Sequence, residues 1–228
     1  MDKLKKEPHF LGHRARAKEK FLKSPGSLQD YELLELALFW ALPRKDTKPI
    51  AKQMLADLKN LAGIIYADSD KLLSIEGVTQ GMLVNFMIIR EFLNRVLKQN
   101  IINTHVLNSW NALIEYLQTS MGSMKTEQFR IIFLNSKNII VADELQSLGT
   151  VDQTSLYPRE VVKRALFHEA TAIILVHNHP SGDPKPSKAD VELTKEVVQA
   201  CATFSITVHD HVIISKKRFF SFKSECLL

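Results

Sequence analysis

The sequence predicts an α+β protein: a helical domain over residues 1–102, then a domain over residues 103–228 in which helices alternate with the strands of a mixed central sheet. Two observations carry that expectation. Up to Lys98 the apolar residues recur at helical spacing, and no strand-like run interrupts them. Beyond Gln99-Asn-Ile-Ile-Asn-Thr104 the character changes to short apolar runs rich in Ile, Val and Phe, bounded by Asn, Gly and Pro. A chain of 228 residues with 45% hydrophobic content can fill one large core or two small ones.

Gly12 to Lys23 reads as a basic helix, and Leu28 to Trp40 as a second, with Asp30 as its start and a heavily apolar face. The segment from Ala41 to Pro49 breaks the pattern. Pro49 to Leu58 restores it with Ile50, Met54, Leu55 and Leu58 on one face, and Leu61–Tyr66 and Asp70–Leu73 make short turns. Leu73-Ser-Ile-Glu-Gly77-Val-Thr79-Gln-Gly-Met-Leu-Val-Asn-Phe86 resembles a helix-hairpin-helix segment. The Gly-x-Gly turn of that motif offers backbone N–H groups at a helix N-terminus to a nucleic-acid phosphate. Thr79 stands where the second glycine is expected: it can cap the next helix, but its Cβ adds bulk beside the phosphate. Gly77 and Thr79 are the candidate nucleic-acid-binding residues, with a protein-binding or structural role weighed equally.

In the second domain Asn108 is expected to cap a helix over Ser109–Thr119. Phe129–Leu134 and Ile139–Asp143 flank Asn135-Ser-Lys-Asn138 and read as a hairpin. Leu148-Gly-Thr-Val151 is a further extended piece, Pro158 opens a helix, and Thr171–Val176 is a continuous apolar run of the kind a buried strand shows. Ser187 then caps a helix whose Val191, Leu193, Thr194, Val197, Val198 and Cys201 follow helical spacing. Ile206–Ser215 is a strand, and Ser215-Lys-Lys turns into Arg218–Phe222.

Composition narrows the class. No apolar run reaches the ~18 residues of a membrane span, and Met-Asp-Lys-Leu-Lys-Lys has no apolar stretch behind its charges, so a cytoplasmic protein without a membrane partner is expected. Cys201 and Cys226 lack Cys-x-x-Cys spacing, which excludes a zinc ribbon and the Pro-Cys-x-x-Cys deaminase signature; Cys201 is expected in the core. The formal net charge of +5 lies wholly in residues 1–104, with 17 Lys+Arg against 12 Asp+Glu, whereas residues 105–228 hold 13 of each. That asymmetry points to an anionic partner, possible DNA, for the helical domain.

The chemistry concentrates in His177-Asn-His179-Pro-Ser-Gly-Asp-Pro-Lys-Pro-Ser187-Lys-Ala-Asp190. Alternate strand residues share a face, so His177 and His179 can aim both imidazoles at one point while Asn178 points away. Asp190 lies in the first turn of the following helix, and prolines 180, 184 and 186 restrict the loop between. Imidazole and carboxylate are ordinary Zn²⁺ ligands, and a hydrolytic zinc takes three of them with one position left for water. Ser-x-x-Asp taken alone is equally a helix-start signature.

His-x-His, seven residues, Ser, two residues, Asp is the spacing of the JAMM (MPN⁺) metalloprotease signature, and the text from Ile173 to Asp190 resembles the RadC branch of that family. So do Tyr157-Pro-Arg-Glu160, Leu148-Gly-Thr150, Glu127-Gln-Phe-Arg130 and Asp210-His-Val-Ile-Ile214. The resemblance implies an α-β-α, cytidine-deaminase-like domain and a Zn²⁺-dependent hydrolase of peptide or isopeptide bonds acting on a protein or peptide substrate. It also implies roles: His177, His179 and Asp190 as zinc ligands, and Ser187 as a hydrogen-bond donor to the tetrahedral intermediate. Asp210 and His211 would touch a metal-bound histidine from behind. The second His-x-His, His209 and His211, otherwise alternates within a strand, where structural roles are expected.

The general base is a glutamate that the loop does not supply. Glu169 fails, because eight strand residues at about 3.3 Å each put it roughly 26 Å from His177. Glu127 and Glu144 both survive, since hairpin pairing sets the start of one strand beside the end of the other. The family motif favours Glu127. Two classes of function follow: a zinc metallohydrolase recruited to its target by a helical domain, or a DNA-associated protein of repair or mobile elements whose metal site is structural or degenerate.

Overall fold

The computed structural model describes residues 9–43, 45–148 and 156–228. The chain falls into two compact units, Met1–Phe92 and Leu93–Leu228. In the first, the described elements are helical: α1 (His9–Lys23), α2 (Asp30–Leu38), α3 (Lys48–Leu58), the short α4 (Leu61–Ile65) and α5 (Ser69–Leu73), and the start of α6 (Gln80–Ile101). Their apolar faces meet in a core that includes Leu38, Met54, Ile64, Leu72 and Phe86, as the helical spacing requires. α2 is held at its start by Glu32, whose carboxylate reaches back to the Gln29 N–H at 2.9 Å.

A short turn joins α5 to α6. Gly77 takes φ 84° there, a left-handed turn that glycine adopts without strain, and a Cβ at this position would come within 3.2 Å of Ile50. Thr79 precedes α6, and its hydroxyl accepts the Met82 N–H at a long 3.4 Å. No helix among the described residues is long and apolar enough to cross a membrane.

The second unit is a mixed sheet between helices. It contains α7 (Trp110–Met121), β1 (Gln128–Leu134), β2 (Ile140–Leu148), α8 (Pro158–Phe167), β3 (Ala172–Asn178), α9 (Lys188–Ala202), β4 (Thr207–Ile214) and β5 (Phe219–Ser221). The strand order is β2-β1-β3-β4-β5, with β3 and β4 parallel and each other pair antiparallel. A parallel pair needs a crossover, and α9 is that crossover.

Period-two alternation divides the side chains of β1 and β3 between two cores. Ile132, Leu134, Ile174 and Val176 face α7, packing on Leu113 and Leu117. Phe129, Ile131, Phe133, Ile173 and Leu175 face α8 and α9, packing on Val161, Val197 and Cys201. Both sheet faces are covered, which explains why Ile173–Val176 reads as a continuous apolar run. The result is the α-β-α layering expected.

Several local expectations shift. α7 starts at Trp110 with Ser109, not Asn108, in the cap position; the Ser109 hydroxyl is engaged with the His105 carbonyl at 2.9 Å. The hairpin turn is built on Asn135, whose side-chain oxygen accepts the Lys137 and Ile139 N–H groups at 3.0 and 3.1 Å, while Asn138 takes φ 56°. β2 runs on to Leu148, and the rest of the extended piece expected at 148–151 lies outside the described residues. β3 ends at Asn178, so His177 lies at the end of the strand as expected and His179 follows it.

Candidate metal centre

Sheet register assembles the site. Phe129 of β1 pairs with His177 of β3, which brings Glu127, two residues upstream, to the end of β3. β3 then leaves the sheet into the proline loop. Gly182, at φ 87°, donates its N–H to the His179 carbonyl at 3.1 Å and so turns the chain back toward α9.

Ser187 caps α9 as expected, in a reciprocal box. The Asp190 N–H donates to Ser187 Oγ at 3.1 Å, and Asp190 Oδ2 accepts both the Ser187 N–H and its hydroxyl at 2.7 Å. The helix-start reading of Ser-x-x-Asp and the ligand reading therefore coexist. The cap holds the carboxylate still, and it places the Ser187 hydroxyl on Asp190 itself.

Glu127, His177, His179 and Asp190 each offer one ligand atom within 4.8 Å of the others. His177 Nε2 lies 3.0 Å from His179 Nε2, 3.3 Å from Asp190 Oδ1 and 3.9 Å from Glu127 Oε1. His179 Nε2 lies 3.5 Å from Asp190 Oδ2. Three corners of a tetrahedron with Zn–ligand bonds of about 2.0–2.2 Å are roughly 3.3–3.6 Å apart; His177, His179 and Asp190 approach that spacing, with the two nitrogens closer, at 3.0 Å, and each histidine meeting a different oxygen of Asp190. Glu127 stands farther off and is one-third exposed, at 33%.

Hydrogen bonds on the far side of each ring explain why those atoms converge. His179 Nδ1 is 2.9 Å from the Asp183 carbonyl, which can only accept, so Nδ1 carries the proton and Nε2 its lone pair. His177 Nδ1 is 2.8 Å from His211 Nε2. His177 is fully buried and stacks on Phe129 with centroids 5.6 Å apart and planes 8° from parallel. Two imidazole lone pairs and a carboxylate aimed at one point need a cation between them, a proton or a metal.

The electrostatics agree. Burial opposes ionisation of Asp190, but the imidazoles of His177 and His179 and the Ser187 hydroxyl hold its carboxyl far below the usual range. Asp190 in turn raises the pKa of His179, against the opposing effect of burial. Burial, with His177 beside it, lowers that of His211 well below an ordinary histidine.

The remaining candidates separate clearly. Glu144 pairs with Ile131 in the hairpin and is gripped by Arg164, with its guanidinium Nε at 2.6 Å, and by His168 at 2.8 Å. Those contacts, the Arg164 hydrogen bond foremost, lower its pKa to about 2, and it is not among the four converging residues. The strand register thus brings Glu127 to the centre and leaves Glu144 in an ion pair with α8.

His211 does touch His177. Asp210 instead accepts the Ser221 hydroxyl at 2.6 Å and the Lys223 N–H at 3.0 Å, fastening the segment that stacks Phe222 on His211 with centroids 4.6 Å apart. A bulge leaves His209 unpaired between Val208 and Asp210, and its ring bonds Asn138 at 2.6 Å, a structural role as expected.

Asn178 does more than point away. Its side-chain oxygen accepts the Gln128 N–H at 2.8 Å and its amide donates to the Thr126 carbonyl at 3.2 Å, bracketing Glu127 on both sides. Thr194 is the other residue whose task was not anticipated; it bonds His211 Nδ1 at 2.6 Å. The signal for Thr194 is its polarity on the apolar face of α9, one helical turn after Asp190. For Asn178 it is a buried amide that must find partners. Residues 107–227, more than half of the chain, match the family model of the RadC-like JAB domain.

Proposed function

The chain belongs to the RadC family, with a JAB/MPN-type domain, and on that premise we propose that it is a zinc-dependent hydrolase of peptide or isopeptide bonds. What carries the reading is the convergence of two imidazole nitrogens and two carboxylates, those of Glu127, His177, His179 and Asp190, within 4.8 Å of one another. His177, His179 and Asp190 would hold the ion, which supplies Lewis acidity and acidifies water to a pKa of about 7.

The chain's own groups do the rest. Glu127 takes a proton from the attacking water as its oxygen bonds to the amide carbon, and returns that proton to the nitrogen as the C–N bond breaks. Asp190 and Asp183 fix the ring of His179, and Ser187 fixes Asp190. With its hydroxyl already near the ligands, Ser187 is placed to shift its hydrogen bond toward an oxyanion as charge develops there.

The test is metal content followed by turnover. Purified protein should carry close to one zinc per chain by elemental analysis, lost in His177→Ala and Asp190→Ala. Glu127→Gln should keep the zinc and lose hydrolysis of peptide or isopeptide amides. Wild-type protein that takes up no zinc from excess would refute the reading.

The second reading concerns the helical unit: that the Gly77–Thr79 turn binds nucleic acid. It is supported by the left-handed Gly77 and by the exposed Thr79 ahead of the 22-residue α6.

A further inference from the structure

Behind the candidate metal centre lies a chain of three buried groups that ends on a group with no freedom. The Thr194 hydroxyl lies 2.5 Å from the Asp190 carbonyl and 2.6 Å from His211 Nδ1; His211 Nε2 lies 2.8 Å from His177 Nδ1. Thr194 is 1% exposed, and both histidines are fully buried, so solvent cannot substitute for any of these partners.

Each contact must contain one proton, and the Asp190 carbonyl can only accept. The single hydroxyl proton of Thr194 therefore goes to that carbonyl, a bond to the residue one turn back that helical threonines readily make. Thr194 Oγ1 is then an acceptor, and His211 Nδ1 must carry the proton it receives. A neutral His211 has its lone pair on Nε2, which accepts from His177 Nδ1–H. His177 is left with its Nε2 lone pair directed at His179 and Asp190. If the Thr194 proton pointed the other way, every bond would reverse, and His177 would present an N–H where a ligand is needed.

We propose that Thr194 is the positioning residue that selects the metal-binding tautomer of His177, acting through His211. The inference rests on the metal-centre reading above. It concerns which nitrogen holds a proton, and no group gains or loses one.

The experiment uses the full chain with ¹⁵N-labelled histidine, stripped of metal by chelator, and reads the imidazole nitrogens by two-bond ¹H–¹⁵N correlation. In the wild type, His211 Nδ1 and His177 Nδ1 should show protonated-type shifts, and His211 Nε2 an unprotonated one. Thr194→Val is near-isosteric and removes the acceptor. It should mix or invert the His177 pattern and weaken zinc binding, measured by chelator competition, by about 10-fold or more. Thr194→Ser keeps the hydroxyl and should restore both readouts. A wild-type spectrum with His211 Nδ1 unprotonated overturns the proposal even if Thr194→Val fails to fold. So does a Thr194→Val protein that keeps the wild-type tautomers, or a Thr194→Ser protein that fails as Thr194→Val does. If the wild type binds no zinc, the metal-centre reading falls, while the metal-free spectra still decide the tautomer.

Discussion

Truncating Asn178 to alanine isolates the part of the site that holds Glu127 from the part that holds the ion. The side chain is 1% exposed and makes hydrogen bonds of 2.8 Å to Gln128 N–H and 3.2 Å to Thr126 carbonyl. Alanine leaves the Gln128 N–H without its partner in a residue that is itself buried. An orphaned buried amide costs about 1–3 kcal/mol and the loss of the second bond about 1 kcal/mol, a total near 3 kcal/mol. For a chain of this size that is a fall in Tm of about 6–12 °C, measurable by circular dichroism on metal-free protein. Zinc affinity should barely move, well short of the 10–100-fold loss that follows removal of a group bonded to a ligand, because Asn178 leaves β3 on the face opposite His177. Turnover should fall as Glu127 loses its bracket. A Tm change below about 2 °C would refute the idea that these two bonds tie β1 to the end of β3. A 10-fold loss of zinc binding would show instead that Asn178 supports the ligands.

Two further expectations follow from the same contacts. Glu144 has its pKa lowered from 4.5 to about 2 by Arg164 and then His168, so its contribution to stability is complete above about 4.5 and fades as pH falls toward 2. Denaturant titrations across that window should show a shallower acid loss in Glu144→Gln, and an unchanged slope would mean the ion pair is idle in solution. For the helical unit, gel shifts over a salt series should show duplex binding that weakens as salt rises if the Gly77–Thr79 turn meets phosphate, and Gly77→Ala, forced to φ 84°, should weaken it further. Binding that ignores salt would remove the nucleic-acid role.

How much of this was legible beforehand depends on the range of the interaction. The hairpin, the strand before His177 and the start of α9 could be read from neighbours a few residues away, because turn residues, alternation and caps act over that distance. The choice between Glu127 and Glu144 could not. It turns on Phe129 pairing with His177 and on Arg164 and His168, 20 and 24 residues beyond Glu144, claiming that carboxylate. The cap of α7 falls one residue later than the sequence predicts for a related reason: Asn108 and Ser109 are both capping types, and only the fold of the preceding turn selects between them.

Local periods and caps were enough to read the layering, the two histidines at the end of one buried strand and the aspartate in the first turn of the next helix. Which glutamate arrives, what brackets it and which nitrogen of each histidine faces the centre are set by the packed fold. Those depend on contacts such as His211 to His177 and Asn178 to Gln128, which span 34 and 50 residues. Local propensity carries no information over such separations; the register of β1, β3 and β4 does.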